Sequence, residues 1–265
     1  MALHTSTDPD EIDALLTRAL EADPVRNTSF SSVRSAARRD PGQVWCAHDG
    51  ARMAARSQPQ HPVALTPGWT EIAELVEALT ELPAPLAVNG PVEVVEAVAT
   101  ALGRRPVLRL DERLFRLDVL MPPAGVTGQA RAAGADDIDL IGQWLVDFHL
   151  EAFGSVPPDF APREQGEWAV TERRPWLWLA PDGAPVSMAC RQPTVVGVAR
   201  IGPVFTPREH RGHGFGSAVT ARATADILAD SAIPVLFTDL ANPTSNKIYE
   251  ALGYRAVEDR LALRF

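Results

Sequence analysis

The sequence predicts an α/β protein that consists of two similar halves. Candidate strands and helices alternate along its 265 residues, and two stretches of the first half recur in the second. "ALTP" before a helix is matched by "VFTP", and "VNGPVEVVEAVATALGRR" is matched by "LANPTSNKIYEALGYR". We interpret these pairs as traces of a duplicated unit. The alternative is that two unrelated segments share a proline at the helix start and a glycine at its end.

The first half begins with a capped helix. Asp8 and Pro9 open this helix, with the proline at the first helical position. Its apolar face consists of Ile12, Leu15, Leu16 and Ala19. The strands predicted after it are 43–47, 52–56, "PVALTP", "PLAVNG", "RPVLRLD" and "RLFRLDV". Two further helices separate these strands, and the second runs from Pro91 to a stop at Gly103.

The second half repeats this order. Its first helix lies in "GADDIDLIGQWLVDFHLEAF", where apolar residues recur at steps of three and four: Ile138, Ile141, Leu145, Phe148 and Ala152. A hairpin follows around residues 181–183, and the last helix runs from Pro243 to Leu252. We predict one domain over residues 1–121, a linker over 122–127 and a second domain over 128–265.

Composition excludes several classes of function. The formal net charge of −9 argues against a nucleic-acid partner, which requires a basic face. No apolar run approaches the ~20 residues of a membrane span, so no membrane partner is predicted. Cys46 and Cys190 have no metal-ligand spacing and suit a reducing compartment, and we expect a cytoplasmic protein.

The stretch "PREHRGHGFGSA" predicts an anion site. Three alternate glycines precede a helix whose first N–H groups point outward, an arrangement that favours a pyrophosphate. Arg208 and Arg211 add positive charge, and the alternative for each is a surface salt bridge. The lysine of a P-loop and the spacing of a dinucleotide fingerprint are both missing. His210 and His213 have no partner at ligand spacing, so no metal site is predicted.

Two motifs in this half resemble those of a known superfamily. The residues from Arg211 to Gly216 resemble the R/Q-x-x-G-x-G/A motif of the GNAT superfamily of N-acetyltransferases, and "NPTSNKIYEALGY" resembles its last helix. The resemblance covers about residues 128–265 and implies the GNAT fold, a mixed α/β sheet, with acetyl-CoA as the acyl donor. The first half lacks the glycine motif, so the chain resembles two tandem GNAT-like domains of which the first is degenerate.

The resemblance also implies the residues that bind the cofactor. Pro203 cannot donate to a sheet ladder and predicts a bulge; the alternative is an edge strand that tolerates the proline. Contacts to the pantetheine arm then fall on Val204, Phe205 and Thr206. The pyrophosphate falls on Arg211, Gly212, His213, Gly214, Phe215, Gly216 and Ser217. Asn242 and Asn246 are further cofactor candidates, with helix capping and solvent exposure as their respective alternatives.

Catalysis needs an acid for the leaving thiolate and a route for the amine proton. By resemblance Tyr249 is the acid, and its alternative is packing on a short helix. Asp239, Glu151 and His149 are candidate bases, and the alternative for each is a cap, a surface charge or a satisfied polar group. Deprotonation through water, without a dedicated residue, also remains open.

The function predicted is acetyl transfer to a primary amine of a small molecule or peptide. The first half then shapes the acceptor site or supports the second half. One alternative is a non-catalytic acyl-CoA sensor, and another is a structural protein that retains the fold. The sequence names neither the acceptor nor the oligomeric state.

Overall fold

The helices and strands follow one order twice: strand, two helices, three strands, helix, strand, helix, strand. The computed structural model describes residues 3–39, 41–83, 85–157, 159–172 and 174–265. The first series is β1 (His4–Ser6), α1 (Pro9–Ala22), α2 (Ser29–Arg39), β2 (Trp45–His48), β3 (Met53–Arg56), β4 (Val63–Leu65), α3 (Ile72–Thr80), β5 (Ala87–Pro91), α4 (Val92–Leu102) and β6 (Leu108–Leu117). The second is β7 (Gln129–Ala132), α5 (Ile138–Phe153), α6 (Pro162–Glu172), β8 (Trp176–Leu179), β9 (Pro185–Arg191), β10 (Val198–Phe205), α7 (Phe215–Ala229), β11 (Ile233–Asp239), α8 (Pro243–Ala251) and β12 (Tyr254–Arg264). None of the helices in the described residues is long and apolar enough to cross a membrane.

Contacts between residues divide the chain into two compact units. The first unit is Met1–Leu114 with Thr238–Pro243 and Ala256–Phe265, and the second is Phe115–Phe237 with Thr244–Arg255. The end of the chain therefore belongs to the first unit. The predicted boundaries at residues 121 and 128 concern the repeated halves of the sequence and stay a prediction.

In the first unit a mixed sheet has the strand order β1-β2-β3-β4-β5-β12. β4 and β5 are parallel, and the other pairs are antiparallel. β12 pairs with β5 through Arg260–Arg264, so a strand that is distant in the sequence joins the first unit's sheet. Its core includes Val63, Leu75, Leu79, Val88, Val95 and Leu261.

The turn before α3 in this unit carries a large side chain. Trp69 is buried, and the guanidinium of Arg52 lies 5.4 Å from its ring centroid. Arg52 also donates to the carbonyl of Gly68 and to the hydroxyl of Thr70. An indole and a guanidinium thus fill the position that corresponds to the glycine loop of the second half.

In the second unit the strand order is β11-β10-β9-β8-β7, with β10 and β11 parallel and the other pairs antiparallel. Two apolar clusters use different residues of β10. One includes Ala199, Ile201, Val219, Tyr249 and Tyr254. The other includes Ile141, Trp144, Leu145, Leu177 and Phe205. β10 therefore connects the core around α7 and α8 with the core under α5.

Helices α5 and α6 pack closely because each presents a glycine to the other. A Cβ at Gly142 would lie 2.2 Å from the carbonyl oxygen of Pro162, and one at Gly166 would lie 2.2 Å from that of Ile138. Neither position has room for any side chain. The absence of a Cβ fixes how near the backbone of α6 comes to α5.

Several element predictions were wrong. "RPVLRLD" and "RLFRLDV" were expected as two strands but form the single strand β6, because no turn residue separates them. α2, α6 and β7 were not predicted; the α2 and α6 sequences are rich in polar residues, and α6 also lacks a clear apolar period. Ala152, expected on the buried face of α5, is exposed.

Asp8→Ala is expected to lower the free energy of unfolding by about 1 kcal/mol. The Asp8 side chain accepts hydrogen bonds from the N–H groups of Asp10 at 3.0 Å and Glu11 at 2.9 Å, and so caps α1. Urea unfolding of the variant measures the loss. Asp8→Asn retains an acceptor oxygen and is the control; an equal loss in both variants would show that the cap is not responsible.

Candidate functional site

The glycine loop has the geometry of an anion cradle. Gly212 and Gly214 adopt φ angles of 81° and 80°, in the left-handed region that favours glycine. Gly214 caps α7, and the first helical hydrogen bond runs from the N–H of Ala218 to the Gly214 carbonyl at 3.0 Å. The N–H groups of residues 215–217 precede that bond and have no partner within the helix. They lie at the positive end of the helix dipole, where an anion is stabilised.

The strand before the loop is interrupted where the proline predicted it. β10 pairs with β9 in two registers, and the shift falls between Ile201 and Val204, which confirms the expected bulge. Pairing of β10 with β11 covers Val198–Ile201. Among the described residues, the β10 backbone beyond Ile201 has no β11 partner in this register, so its polar groups on that side are available to a ligand.

A serine of β9 anchors the end of β10. Ser187 is fully buried, and its hydroxyl lies 3.1 Å from the carbonyl oxygen of Phe205 and 2.7 Å from the hydroxyl of Thr206. A Cβ at Gly216 would lie 3.2 Å from that Thr206 hydroxyl. The glycine therefore allows the first turn of α7 to approach the end of β10. The sequence analysis did not identify Ser187, because one buried serine in a strand carries no motif.

One carboxylate of α5 binds both arginines of the loop. Glu151 accepts from Arg208 at 3.0 Å and from Arg211 at 2.5 Å. Arg211 also donates to the carbonyl of Thr206 at 2.9 Å, which holds its guanidinium beside the loop. Burial opposes ionisation of Glu151, but the hydrogen bonds from Arg211 and Arg208 outweigh it, and the pKa of Glu151 lies below its ordinary value. In this arrangement Glu151 is a weak proton acceptor that orients two cations.

Tyr249 lies on α8 and is buried among aromatic rings. Its ring centroid is 6.4 Å from that of Phe115 and 6.2 Å from that of Tyr254. Within the described part of the chain its hydroxyl makes no hydrogen bond, and burial raises its pKa to about 12. The hydroxyl therefore keeps its proton at neutral pH. Val204 packs against the same cluster and connects Tyr249 with β10.

Tyr254 contrasts with Tyr249. It is fully buried, and its hydroxyl lies 2.8 Å from that of Thr224 on α7. Burial raises the pKa of this phenol, although the hydrogen bond with Thr224 opposes the effect. Tyr254 is thus a core residue with a satisfied hydroxyl.

The other candidates lie between β11 and α8. Asp239 ends β11, and its carboxylate accepts from the N–H of Ala241 at 2.7 Å. Asn242 is exposed and directly precedes α8, while Asn246 is half-buried on that helix. The N–H of Asn242 donates to the carbonyl of Asp239 at 3.0 Å. The roles of these three residues in binding and catalysis stay predictions.

The described residues contain no group of three or more histidine, cysteine, aspartate or glutamate side chains that could hold a metal ion. Cys46 and Cys190 are buried and form no disulfide. The glycine loop offers backbone N–H groups and two arginines that one carboxylate holds.

Comparison with known proteins identifies the fold that carries this site. Residues 188–263, which contain the glycine loop and α8, match the model of the FR47-like protein family. A GCN5-related N-acetyltransferase from Sphaerobacter thermophilus superposes with a TM-score of 0.63 at 18% identity, covering 99% of this chain and 95% of that one. The fold is the GNAT fold.

Two further structures with this fold are similar to the chain. A tandem GNAT protein from the clavulanic acid biosynthesis pathway superposes with a TM-score of 0.62 at 16% identity, covering 100% of this chain and 98% of that one. A GNAT-family acetyltransferase from Novosphingobium aromaticivorans gives 0.55 at 20% identity, over 80% and 86% of the two chains. No curated protein matches the sequence. The GNAT fold and the FR47-like match together support acyl transfer as the class of chemistry.

Proposed function

We propose that the protein transfers the acetyl group of acetyl-CoA to a primary amine of a small molecule or peptide. The observation that carries the proposal is the anion cradle at the start of α7, next to a β10 segment whose pairing with β11 has ended. A pyrophosphate suits the first feature, and the amide groups of a pantetheine arm suit the second. Acyl-CoA contains both.

The residues present fit the CoA moiety. The N–H groups from Arg211 to Ser217 would bind the pyrophosphate, with the guanidinium groups of Arg208 and Arg211 beside it. The backbone of Val204, Phe205 and Thr206 would bond the pantetheine arm. Glu151 is proposed to orient the two arginines, since it accepts from both. Bound acetyl-CoA supplies the activated acyl group.

Tyr249 is proposed to protonate the departing thiolate. Its pKa of about 12 keeps the phenol protonated, and Val204 places its cluster against β10. The two cysteines are buried and form no disulfide, which suits a reducing compartment, and we propose that the protein acts in the cytoplasm.

Release of free thiol from acetyl-CoA in the presence of a panel of amines tests the function. Amine-dependent release supports a transferase. Binding of acetyl-CoA in calorimetry, without release by any amine, would instead indicate an acyl-CoA sensor. Absence of binding would contradict both.

Gly214→Val is expected to weaken CoA binding about tenfold or more. A valine in the left-handed conformation costs about 1–2 kcal/mol, so the loop relaxes and the N–H groups of residues 215–217 turn away from the cradle. A Cβ at Gly214 would also lie 3.0 Å from Cγ2 of Val126, so the loop or that side chain must shift. Calorimetric titration with CoA measures the effect.

Gly183→Val is the matched control. Gly183 has a φ of 89°, and a Cβ there would meet no atom within 4 Å. It lies in the hairpin turn between β8 and β9. A valine there would have similar backbone strain, but at a position outside the glycine loop. Equal affinity losses in the two variants would mean that general destabilisation, not the cradle, explains the result.

A further inference from the structure

The last turn of α5 holds an imidazole among three phenyl rings. We propose that this aromatic cluster, Phe148, His149, Phe153 and Phe160, binds the apolar body of the amine acceptor, and that His149 Nε2 takes the proton of the attacking amine. The acceptor class is a primary monoamine with an aromatic body. This inference rests on the acetyl transfer proposed above.

The rings are arranged around His149 at contact distances. The centroid of its imidazole lies 5.0 Å from that of Phe160, 5.7 Å from that of Phe153 and 5.9 Å from that of Phe148. These separations fall in the range in which aromatic pairs attract. The chain has nine phenylalanines, so a third of them lie in this cluster.

The cluster is open on one side. Phe153 keeps 37% of its surface exposed, and the adjacent Leu150 keeps 48%, although both are large apolar side chains. Phe148, His149 and Phe160 are half-buried. Exposed apolar surface beside half-buried rings is a feature of ligand sites, because a ligand removes it from water.

The tautomer of His149 is set by the helix. Its Nδ1 lies 2.7 Å from the carbonyl oxygen of Leu145, which only accepts, so Nδ1 carries the proton and donates. The neutral ring then has its lone pair on Nε2, and no hydrogen bond within the described residues uses it. An imidazole in this state is ready to accept a proton from a ligand.

The cluster adjoins the strand segment proposed to bond pantetheine. Phe148 and Phe160 pack against the core that contains Phe205, and Trp144 of α5 lies 6.2 Å from the Phe205 ring. The preceding residue, Val204, packs against the core that contains Tyr249. Tyr249 thus belongs to the core that Val204 contacts, and His149 contacts Phe148 and Phe160, which pack against the core that contains Phe205.

Charge favours a monoamine over a polyamine. The carboxylate next to the cluster, Glu151, is engaged by two arginines, whose positive charges repel further cations. Phenyl faces attract a single ammonium group and stack with an aromatic body. A polyamine would bring several cations close to these two guanidinium groups.

The reaction balances with these groups. The amine nitrogen forms a bond to the acetyl carbonyl carbon while its proton passes to His149 Nε2. The carbon–sulfur bond breaks, and the sulfur receives the proton of Tyr249. Tyr249 regains a proton as His149 releases one, which leaves one amide and one thiol.

The test compares 2-phenylethylamine with spermidine in thiol release by the full chain. His149→Asn keeps an N–H donor for the Leu145 carbonyl but removes Nε2, and should lower kcat about a hundredfold with little change in the KM of the amine. Phe160→Leu should raise that KM about tenfold. Phe30→Leu makes the same change in the first unit and should leave the KM unaltered.

The outcomes separate this inference from the proposed function. Preference for spermidine would overturn the aromatic acceptor subsite. An unchanged kcat in His149→Asn would overturn the role of His149 as the base. Acetyl transfer would stand in both cases. Calorimetry with 2-phenylethylamine in the presence of CoA adds a readout without turnover. If no amine releases thiol but 2-phenylethylamine binds and Phe160→Leu weakens that binding, the subsite is supported and acetyl transfer is overturned. If no amine releases thiol and 2-phenylethylamine does not bind, both the subsite and acetyl transfer are overturned.

Discussion

Tyr249→Phe is expected to lower kcat by about a hundredfold or more, with CoA affinity unchanged. The phenol is the proton donor proposed for the leaving thiolate, and its pKa of about 12 keeps it protonated at neutral pH. The variant keeps the ring, and with it the contacts to Phe115 and Tyr254. Steady-state thiol release gives kcat, and calorimetry with CoA gives the affinity.

The second tyrosine of the chain is the control. Tyr254→Phe loses a buried hydrogen bond to Thr224, so it should cost about 1 kcal/mol of stability and leave turnover intact. Tyr249→Phe loses no hydrogen bond to a described residue and should not lower the melting temperature. A Tyr249→Phe variant with normal kcat would place the acid elsewhere. A fall in both melting temperature and kcat for either variant would point to a packing effect.

Arg191→Ala is expected to lower the free energy of unfolding by about 3 kcal/mol or more. Arg191 is 2% exposed and joins β9 to α7, donating to Asp226 at 2.7 Å and to Asp230 at 2.5 Å. It also donates to Thr194 at 3.0 Å. Truncation leaves these acceptors without their buried donor. Urea unfolding monitored by circular dichroism measures the change.

Arg174→Ala is the control for Arg191. Arg174 lies 3.5 Å from Asp226 and 3.6 Å from Asp230, but its side chain is 55% exposed. Loss of such an exposed pair should cost less than about 1 kcal/mol. Equal costs in the two variants would contradict a special role for the buried arginine.

The same network predicts a dependence on pH. The hydrogen bond and charge of Arg191 lower the pKa of Asp230 from its ordinary value of 3.8. Since the carboxylate is favoured in the folded state, its contribution is complete above that value and is lost as pH falls through the lowered pKa. The stability difference between the protein and Arg191→Ala should therefore shrink in acid.

The parts of the fold that were predicted correctly from the sequence are those that depend on a few neighbouring residues. The cap at Asp8 and Pro9 begins α1, and the alternate glycines precede α7 as expected. The Gly202–Pro203 interruption also appears as a register shift in β10. Each of these features follows from the conformational limits of a few neighbouring residues, so a short stretch of sequence is enough to predict it.

The parts that sequence missed depend on distant partners. α6 has little amphipathic pattern, and its position depends on the close approach that Gly142 and Gly166 permit. The ion pairs of Glu151 join residues about sixty positions apart, and nothing local specifies them. A signal for the aromatic cluster was present, since "FHLEAF" places two phenylalanines and a histidine on one helical turn and a half. The third phenylalanine of the cluster, Phe160, lies after the end of α5.

The pairing of β12 with β5 affects how the protein is made. During synthesis the ribosome releases β5 long before Arg260–Arg264, its antiparallel neighbour. β5 therefore has an open edge until residues 260–264 have been synthesised, although most of the first unit's residues precede them. Folding of this sheet finishes only when β12 is available, and a truncation before Arg260 would leave β5 without that neighbour.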